Sequence, residues 1–174
     1  MTAKEFMKAV SCDNVNIIQL LLDILKQNEI PYCVIGGLAV NAYVEPVISL
    51  DIDLVIVTGA TEQICQLAIE NGLSTTRFPH SINLNSNQSD IRIQLQTDNR
   101  YQDFIARASL RTVMGYQIMV ARLEDVLQGK VWAYQDETRR KSKKQKDLAD
   151  ITRITEAYPS LITLLPVPIR DLVQ

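Results

Sequence analysis

Cysteine and histidine are scarce in this chain of 174 residues, which contains three cysteines and a single histidine. The cysteines form no CxxC pair and show no spacing typical of a metal site, and their odd number argues against a disulfide framework. The one histidine, His80, has no cluster of further ligand residues near it in the sequence. The sequence therefore gives no support to a zinc centre, and it contains no P-loop or nucleophile elbow either.

Long hydrophobic runs are missing as well. The longest candidate, residues 15–25, is interrupted by Asn16, Gln19 and Asp23, so it falls short of the roughly 18 apolar residues of a membrane span. The N-terminal residues MTAKEFMKAV lack the apolar stretch that follows the charges of a signal peptide. We therefore expect a cytoplasmic protein that does not contact a membrane.

The two signs of charge nearly balance, with 18 Lys and Arg against 20 Asp and Glu, but their distribution is uneven. Six basic residues lie in the eight positions from Arg139 to Lys146, which leaves the rest of the chain acidic. This basic run is either a solvated loop and helix start or a surface that attracts a triphosphate or an RNA acceptor. The length fits one domain, or one domain with a small appendage.

The hydrophobic pattern predicts a helix, then a mixed α/β core, then a helical tail. Asp13 is a candidate N-cap for the first helix, which runs to about Asn28. The predicted strands are Tyr32–Ile35, Ile52–Val57, Ser81–Leu84, Ile91–Gln96, Thr112–Met114 and Gln117–Val120. The further predicted helices are Leu38–Tyr43, Thr61–Asn71, Gln102–Ala108, Leu123–Tyr134 and Lys143–Tyr158.

We therefore expect an α/β (α+β) fold in which a short mixed sheet is flanked by helices. The chain divides into an N-terminal helical segment (1–30), a core (31–121) and a C-terminal helical part (122–174) that closes a cleft.

The segment YCVIGGLAVNAYVEPVISLDIDLVIV, residues 32–57, carries the pattern with the most chemical content. Gly36 and Gly37 follow a strand, and adjacent glycines let backbone amides approach a phosphate closely. Asp51 and Asp53 open a hydrophobic strand, so their side chains share a face with Cα atoms about 6.6 Å apart. Such a pair suits Mg²⁺ with bound phosphates. The alternative is a tight turn followed by solvated carboxylates at a strand end.

The order GG-x-A followed by DIDL resembles the nucleotidyltransferase fold of the DNA polymerase β superfamily. LEDVLQGKVWA at 123–133 and KQKDLADI at 144–151 resemble C-terminal helices of its small bacterial toxin–antitoxin and abortive-infection branch. The resemblance implies that Asp51 and Asp53 hold Mg²⁺ or Mn²⁺, and that Gly36 and Gly37 hold the triphosphate of an NTP.

The resemblance also implies a third carboxylate on a later strand, and this position is occupied by Gln94 in the segment IRIQL, residues 91–95. Glutamine cannot act as the base that takes a proton from an attacking hydroxyl. Asp90 and Asp98 share its strand parity, but each lies roughly 13 Å away along an extended strand. The residue at position 94 therefore decides whether the protein transfers a nucleotide or only binds it.

Three charged residues of the tail are further candidates. Lys130 lies near the centre of an apolar helix stripe, where it either extends past its packed neighbours to water or points at phosphates in the cleft. Lys144 and Asp147 share the inward face of the next helix, as a cleft lining or as a structural ion pair. Asp150 is nearer the solvent side. The resemblance favours nucleotide binding by Lys130, Lys144 and Asp147.

Two functions follow as hypotheses. In the first, the protein is an enzyme that transfers a nucleoside monophosphate from Mg²⁺–NTP to a hydroxyl of an RNA, a protein or a small molecule, with the basic run contacting a macromolecular acceptor. In the second, Gln94 marks a degenerate module that binds a nucleotide or a partner without turnover. The partner would then be, for example, the cognate protein of a toxin–antitoxin pair.

Overall fold

The computed structural model describes residue 2, residues 4–5 and residues 16–174. The expected cap Asp13 lies outside these residues. Helix α1 (Ile17–Gln27) begins after Asn16, whose side chain accepts a hydrogen bond of 3.0 Å from the backbone N–H of Gln19. The first described helix is thus capped by an asparagine, a preferred N-cap residue.

Five further helices lie close to the predicted ones: α2 (Gly36–Val40), α3 (Thr61–Glu70), α4 (Gln102–Ala106), α5 (Leu123–Gln135) and α6 (Lys141–Ala157). The last helix, α7 (Val167–Val173), has no predicted counterpart. Short 3₁₀ turns occur at Thr58–Ala60, Asn99–Tyr101 and Pro159–Leu164. None of the helices in the described part of the chain has the length and apolar character needed to cross a membrane.

Seven strands form one mixed sheet in the order β3-β4-β5-β2-β1-β7-β6. They are β1 (Tyr32–Ile35), β2 (Asp51–Ile56), β3 (Ser74–Phe78), β4 (Ser81–Asn85), β5 (Arg92–Gln96), β6 (Ser109–Val113) and β7 (Tyr116–Val120). The pairs β1–β7 and β2–β5 are parallel and the remaining pairs are antiparallel. This architecture confirms the expected fold class.

Among the described strands, β3 is the one that the hydrophobic pattern does not predict. Its residues, STTRF, lie at the edge of the sheet and are mostly exposed. An edge strand that covers no core shows little hydrophobic alternation, which is the signal on which strand prediction depends. The pairing of β3 with β4 therefore supplied the structure that the local pattern did not.

The central strand β2 separates the core from the site. Ile52 and Leu54 are 3% and 1% exposed and meet Leu21 of α1 on one face of the sheet. Asp51 and Asp53 point to the other face, because side chains alternate along a strand. The sheet thus holds both carboxylates on a rigid, buried support, as the sequence predicts.

Helices α5 and α6 pack against each other and against α2, on the side of the sheet to which the carboxylates point. All described strands lie within residues 31–121, and α5 to α7 lie within residues 122–174. One hydrophobic core nevertheless includes both parts, with Ile118, Val126 and Ile151 fully buried in it. The division of the chain into three parts stays a prediction.

Candidate active site

A cleft between β2, β5 and helices α5 and α6 brings most of the predicted site residues together. Its two halves share a lining made of Asp51, Asp53, Lys130, Arg139, Lys143 and Asp147. Gly36 and Gln94 line one half, and Gly37 lines the other. Lys144 lines neither half; its neighbour Lys143 reaches the cleft instead. The sequence motifs therefore converge in space, with a shift of one residue on α6.

Asp51 is neutralised by two basic side chains. Its carboxylate lies 2.7 Å from Nε of Arg92 and 2.9 Å from Nζ of Lys143. Partial burial opposes ionisation of Asp51, but the hydrogen bonds and charges of Lys143 and Arg92 outweigh it, so the pKa of Asp51 lies below its ordinary value. Asp51 is therefore an ionised carboxylate that protein cations already compensate.

Asp53 is in a different electrostatic state. No described group donates a hydrogen bond to its carboxylate, and no basic side chain pairs with it directly. Desolvation raises the pKa of Asp53, the more distant Lys130 opposes this rise, and the charge of Asp51 adds to it. An unpaired carboxylate in a cleft is costly, and a bound cation would relieve that cost.

Gly36 creates the space that Asp53 occupies. It adopts φ +68°, a left-handed conformation that favours glycine. A Cβ at this position would overlap Oδ2 of Asp53 and lie 3.0 Å from its Cγ. Gly37 has only ordinary contacts, with Oγ of Ser49 3.9 Å from an added Cβ. Helix α2, which begins at Gly36, is short. The structural role of Gly36 is to accommodate the Asp53 carboxylate.

Gln94 lies beside Asp53 in the parallel pair of β2 and β5, and beside Asn83 in the antiparallel pair of β5 and β4. A row of polar side chains thus crosses three neighbouring strands. The acidic residue Asp98 is not a substitute, because its carboxylate pairs with Arg100 at 2.8 Å. The position at which the resemblance implies a third carboxylate is therefore at the cleft, but it presents a neutral amide.

Lys130 lies inside an ion-pair network that joins α5 to α6. Its Nζ is 2.7 Å from Asp150 and 3.2 Å from Asp147, and only 8% of the residue is exposed. Burial opposes its charge, but the two carboxylates outweigh that effect and raise the pKa of Lys130. Arg139 donates a further hydrogen bond of 2.5 Å to Asp147.

This network revises the picture of the tail. Asp150 faces Lys130 rather than standing nearer the solvent. Asp147, 1% exposed, pairs with Lys130 and Arg139, while Lys144 forms no ion pair with any described residue. Asp147 lines the cleft and forms a structural ion pair, but its partners are Lys130 and Arg139 and not Lys144.

Among the cleft residues, Arg92, Asn83, Lys143 and Tyr101 were not singled out from the sequence. Arg92 shares strand parity with Gln94, and this spacing alone could have identified it. Lys143 belongs to the basic run, but its direction depends on where α6 begins. Asn83 and Tyr101 give no local signal, because only the pairing of β4 with β5 and the packing of α4 under α5 bring them to the cleft.

Tyr101 is held firmly at the edge of the cleft. Its ring makes edge-on contacts with Phe104 and Trp132, at centroid distances of 5.4 and 5.2 Å. Gly129 of α5 allows this packing, since a Cβ there would lie 3.3 Å from the tyrosine ring. Burial raises the pKa of Tyr101 to about 12, so its hydroxyl stays protonated and can donate a hydrogen bond.

The carboxylates can hold a divalent cation only with help from a ligand. Within the described residues, no group of three or more His, Cys, Asp or Glu side chains forms a complete metal site. Asp51 and Asp53 offer hard oxygen ligands on one face, and Asp53 has no partner in the part of the chain that the structure describes. Two carboxylates complemented by phosphate oxygens and water are an arrangement that Mg²⁺ commonly takes, so these residues fit one such cation.

Comparisons with known proteins identify the fold. No protein-family model and no curated protein sequence matches the chain. The crystal structure of ANT(2″)-Ia in complex with adenylyl-2″-tobramycin matches 90% of this chain and 94% of its own, with a TM-score of 0.63 and 15% identity. The chain has the nucleotidyltransferase fold. The fold that the GG and DIDL motifs imply is thereby confirmed.

Two further structures with the nucleotidyltransferase fold show the same similarity. The lincomycin-bound lincosamide antibiotic adenylyltransferase LnuA covers 82% of this chain and 99% of its own, with a TM-score of 0.57 and 13% identity. An antigenic nucleotidyltransferase-like protein from Paracoccidioides brasiliensis covers 95% and 92%, with a TM-score of 0.52 and 16% identity. The toxin–antitoxin and abortive-infection branch stays a prediction.

Proposed function

We propose that the chain binds a magnesium-bound nucleoside triphosphate in the cleft and transfers its nucleoside monophosphate to a hydroxyl group, releasing pyrophosphate. The observation that carries this proposal is the state of Asp53. Its carboxylate is unpaired and desolvated beside Asp51, on a cleft whose other walls are rich in basic side chains. In a nucleotidyltransferase fold, a cation and a nucleotide are the ligands that would balance these charges.

Asp51 and Asp53 would hold Mg²⁺, or Mn²⁺, together with phosphate oxygens. When bound, the cation neutralises phosphate charge and makes the phosphorus more susceptible to attack. Arg139 and Lys143 line both halves of the cleft and extend the positive field over the phosphates. Lys130 contributes to the same field, but it is paired with two carboxylates. Its main role is therefore to hold α5 and α6 together.

Lys146 is the most accessible cation for a phosphate. It lines the cleft, is exposed, and forms no ion pair with any described residue. Lys144, the residue that the sequence favours, faces away from both halves. We therefore assign phosphate contacts to Lys143 and Lys146 in place of Lys144.

In the transfer, the acceptor oxygen forms a bond to the α-phosphorus, and the bond between that phosphorus and pyrophosphate breaks, so that pyrophosphate leaves with the electron pair. The hydroxyl proton needs an acceptor, and Gln94 has no basic atom to offer. Asp53 is the neighbouring ionisable group. A carboxylate has two oxygens with several lone-pair sites, so one oxygen can serve a cation while the other takes the proton.

Gln94 also favours a second candidate function. If Asp53 does not act as the base, the protein binds Mg²⁺–NTP without turnover and is a nucleotide- or partner-binding module. The exposed residues Arg140, Lys141 and Lys146 of the basic run would then serve an RNA or protein partner, such as the cognate member of a toxin–antitoxin pair. Cytoplasmic location belongs to the same set of proposals.

The deciding experiment combines thermal shift with transfer of radiolabel from each of the four NTPs, in Mg²⁺ or Mn²⁺. A ligand at 100 times its Kd adds about 2.7 kcal/mol, or roughly 5–10 °C in Tm for a chain of this size. We expect this shift in the wild type and its loss in Asp53→Ala. Asp90→Ala, at an exposed carboxylate outside the cleft, is the matched control.

Transfer distinguishes the two functions. Metal-dependent labelling of an acceptor, lost in Asp53→Ala, supports the enzyme. Metal-dependent nucleotide binding without transfer supports the module, and transfer gained in Gln94→Asp would identify the missing carboxylate as the reason. A wild-type protein that neither binds nor transfers any of the four nucleotides would contradict both functions.

A further inference from the structure

The cleft consists of two chambers on either side of the shared lining of acidic and basic residues. One, the amide chamber, is lined by Asn83, Gln94 and Gln96 with Tyr101 at its edge, and encloses about 230 Å³. The other, the cationic chamber, is lined by Lys146 and Arg153 among others, and encloses about 290 Å³. The cationic chamber also contains Asp150, which is paired with Arg153 at 2.7 Å. Lys146 is the basic residue of the two chambers that has no ion partner in the described part of the chain.

Apart from the shared residues, the amide chamber contains amides, a hydroxyl and one charged side chain that is already paired. The single charged side chain that belongs to it alone is Arg92, and the guanidinium of Arg92 is paired with Asp51 at 2.7 Å. The cationic chamber by contrast has Lys146 without an ion partner among the described residues. A ligand in the amide chamber would thus meet amides and a hydroxyl rather than a net charge.

The polar groups of the amide chamber have unused hydrogen-bonding capacity. Oδ1 of Asn83 is buried and has no hydrogen-bond partner among the described residues. No described group is hydrogen-bonded to the Gln94 side chain or to the Tyr101 hydroxyl. The Gln96 side-chain oxygen accepts from the backbone N–H of Asp98 at 3.2 Å, which leaves its NH₂ group to donate.

These groups are regularly spaced, because the sheet fixes them. Gln94 and Asn83 lie opposite each other on neighbouring strands, about 4.8 Å apart, and Gln94 and Gln96 are two residues apart, about 6.6 Å along one strand. Amide side chains both donate and accept hydrogen bonds. A rigid array of this kind matches a ring with several hydroxyl groups, which also donate and accept.

The geometry of phosphoryl transfer assigns the chambers. Attacking and leaving oxygens lie roughly in line on opposite sides of the reacting phosphorus. Pyrophosphate, which carries the leaving oxygen, is stabilised where free positive charge is available, and that is the cationic chamber. With the phosphorus at Asp51 and Asp53, the attacking hydroxyl then approaches from the amide chamber.

We infer that the amide chamber is the acceptor subsite and that it takes a neutral, hydroxyl-rich ring such as a sugar. This inference rests on the proposed function, since it presumes that a nucleotide occupies the centre of the cleft. The volume of the chamber is below the roughly 300–1,000 Å³ of sites for larger ligands, which suits a single ring. A charged acceptor is disfavoured because it would have to leave water for walls that offer it amides and a hydroxyl.

The test compares neutral sugar rings with a cationic and an anionic one. The ¹⁵N-labelled protein is first saturated with Mg²⁺ and a non-hydrolysable ATP analogue. Glucose, galactose and mannose are then titrated as neutral rings, glucosamine as the cationic ring and glucose 6-phosphate as the anionic ring. We expect at least one neutral ring to shift the side-chain amide signals of Asn83, Gln94 and Gln96, and to bind more tightly than glucosamine and glucose 6-phosphate.

Two alanine variants make the test specific. Asn83→Ala removes one hydrogen-bonding group, so the Kd of the neutral ring should rise about two- to tenfold. Asn85→Ala is the matched control, because Asn85 is an asparagine on the same strand that lines neither chamber. The Kd of the ring should be unchanged in Asn85→Ala, and that of the ATP analogue unchanged in both variants.

Other results would contradict the acceptor subsite, its location in the amide chamber or the proposed function. If the ATP analogue binds but no neutral ring shifts the three amide signals, or if a charged ring binds more tightly, the acceptor inference is wrong. If Asn85→Ala weakens the ring as much as Asn83→Ala does, the amide chamber is not its site. If non-hydrolysable analogues of all four NTPs fail to bind, the proposed function is wrong and the inference falls with it.

Discussion

Two aspartates of one strand, two residues apart, lie in opposite electrostatic states. Asp51 is held between Arg92 and Lys143 at 2.7 and 2.9 Å, whereas Asp53 has no such partner. The pKa of Asp51 is accordingly lowered and that of Asp53 is raised by burial. The first carboxylate therefore stabilises the metal-free fold, and the second destabilises it in favour of binding a ligand.

Substitution of each aspartate by asparagine should change the free energy of unfolding in opposite directions. In buffer with EDTA at pH 7, Asp51→Asn should lower the free energy of unfolding by about 1 kcal/mol, since two partly exposed ion pairs are lost. Asp53→Asn should raise it by an amount on the order of 1 kcal/mol, because an unpaired charge is removed. Urea unfolding of the two variants and the wild type measures both changes.

The pH dependence of the same variants provides a check. The contribution of Asp51 is present above its ordinary pKa of 3.8 and is lost as the pH falls through its lower native value. The cost of Asp53 is instead relieved as the pH falls through its raised native value, so the advantage of Asp53→Asn should shrink on acidification from pH 7. Two variants that destabilise equally at all pH values would contradict this account.

The residue pattern predicts the carboxylates better than the basic residues around them. Strand alternation is sufficient to place Asp51 and Asp53 on one face, and the register of β5 with β2 places Gln94 beside Asp53. On a helix, however, successive residues are rotated by about 100° about the axis. The orientation of the helix therefore decides whether Lys143 or Lys144 faces the cleft. Arg139 reaches the cleft from the loop before α6, and its direction is set by its bond to Asp147, which no local pattern contains.

At the scale of elements, the buried network around Lys130 fixes how α5 and α6 meet. Lys130 contributes the charge from α5, while Asp147 and Asp150 contribute carboxylates from α6. Buried ions of this kind are stable only as a complete set, because each was removed from water. The network therefore sets the position of the cleft wall more than it adds to stability.

Breaking this network should be much more costly than removing a charge beside it. Asp147→Ala leaves Arg139 without a carboxylate and Lys130 with Asp150 alone at a buried site, so we expect a loss of about 3 kcal/mol in the free energy of unfolding. Lys144→Ala, three residues earlier on the same helix, should change it by less than about 0.5 kcal/mol. Urea unfolding of both variants measures the difference, and equal effects would contradict the role of the network.

Elements were predicted well where they bury a hydrophobic face and poorly where they do not. The strands β1, β2 and β5 and the helices α3 and α5 lie within about two residues of their predicted bounds. By contrast, β3 is exposed at the sheet edge, and β6 begins three residues before its predicted start because Ser109, Leu110 and Arg111 are exposed. Pairing with β4 and β7 determines these segments, and pairing is not encoded locally.

In the whole molecule, polar contacts connect α6 and the residue after it to residues 41–51, the segment that runs from the end of α2 to the start of β2. Nζ of Lys143 on α6 reaches Asp51 on β2. Arg153 on the same helix donates to the backbone carbonyl of Glu45, and the Tyr158 hydroxyl donates to the carbonyl of Tyr43 at 3.0 Å. The first contact lies at the proposed cation site, so binding of a cation there competes with a link between the two parts.

Removal of this link should have opposite effects on two ligands. Lys143→Met frees Asp51 from one competing charge, so the Kd of Mn²⁺ without nucleotide should fall, by up to about fivefold if the partly exposed pair contributes up to 1 kcal/mol. The same variant loses a phosphate contact, so the Kd of Mg²⁺–ATP should rise. Paramagnetic resonance of Mn²⁺ and calorimetry with Mg²⁺–ATP measure the two constants, with Lys144→Met as control. If Lys143→Met weakens both ligands, or if Lys144→Met behaves alike, Lys143 does not exchange with the cation at Asp51, and the two parts of the molecule are coupled in another way.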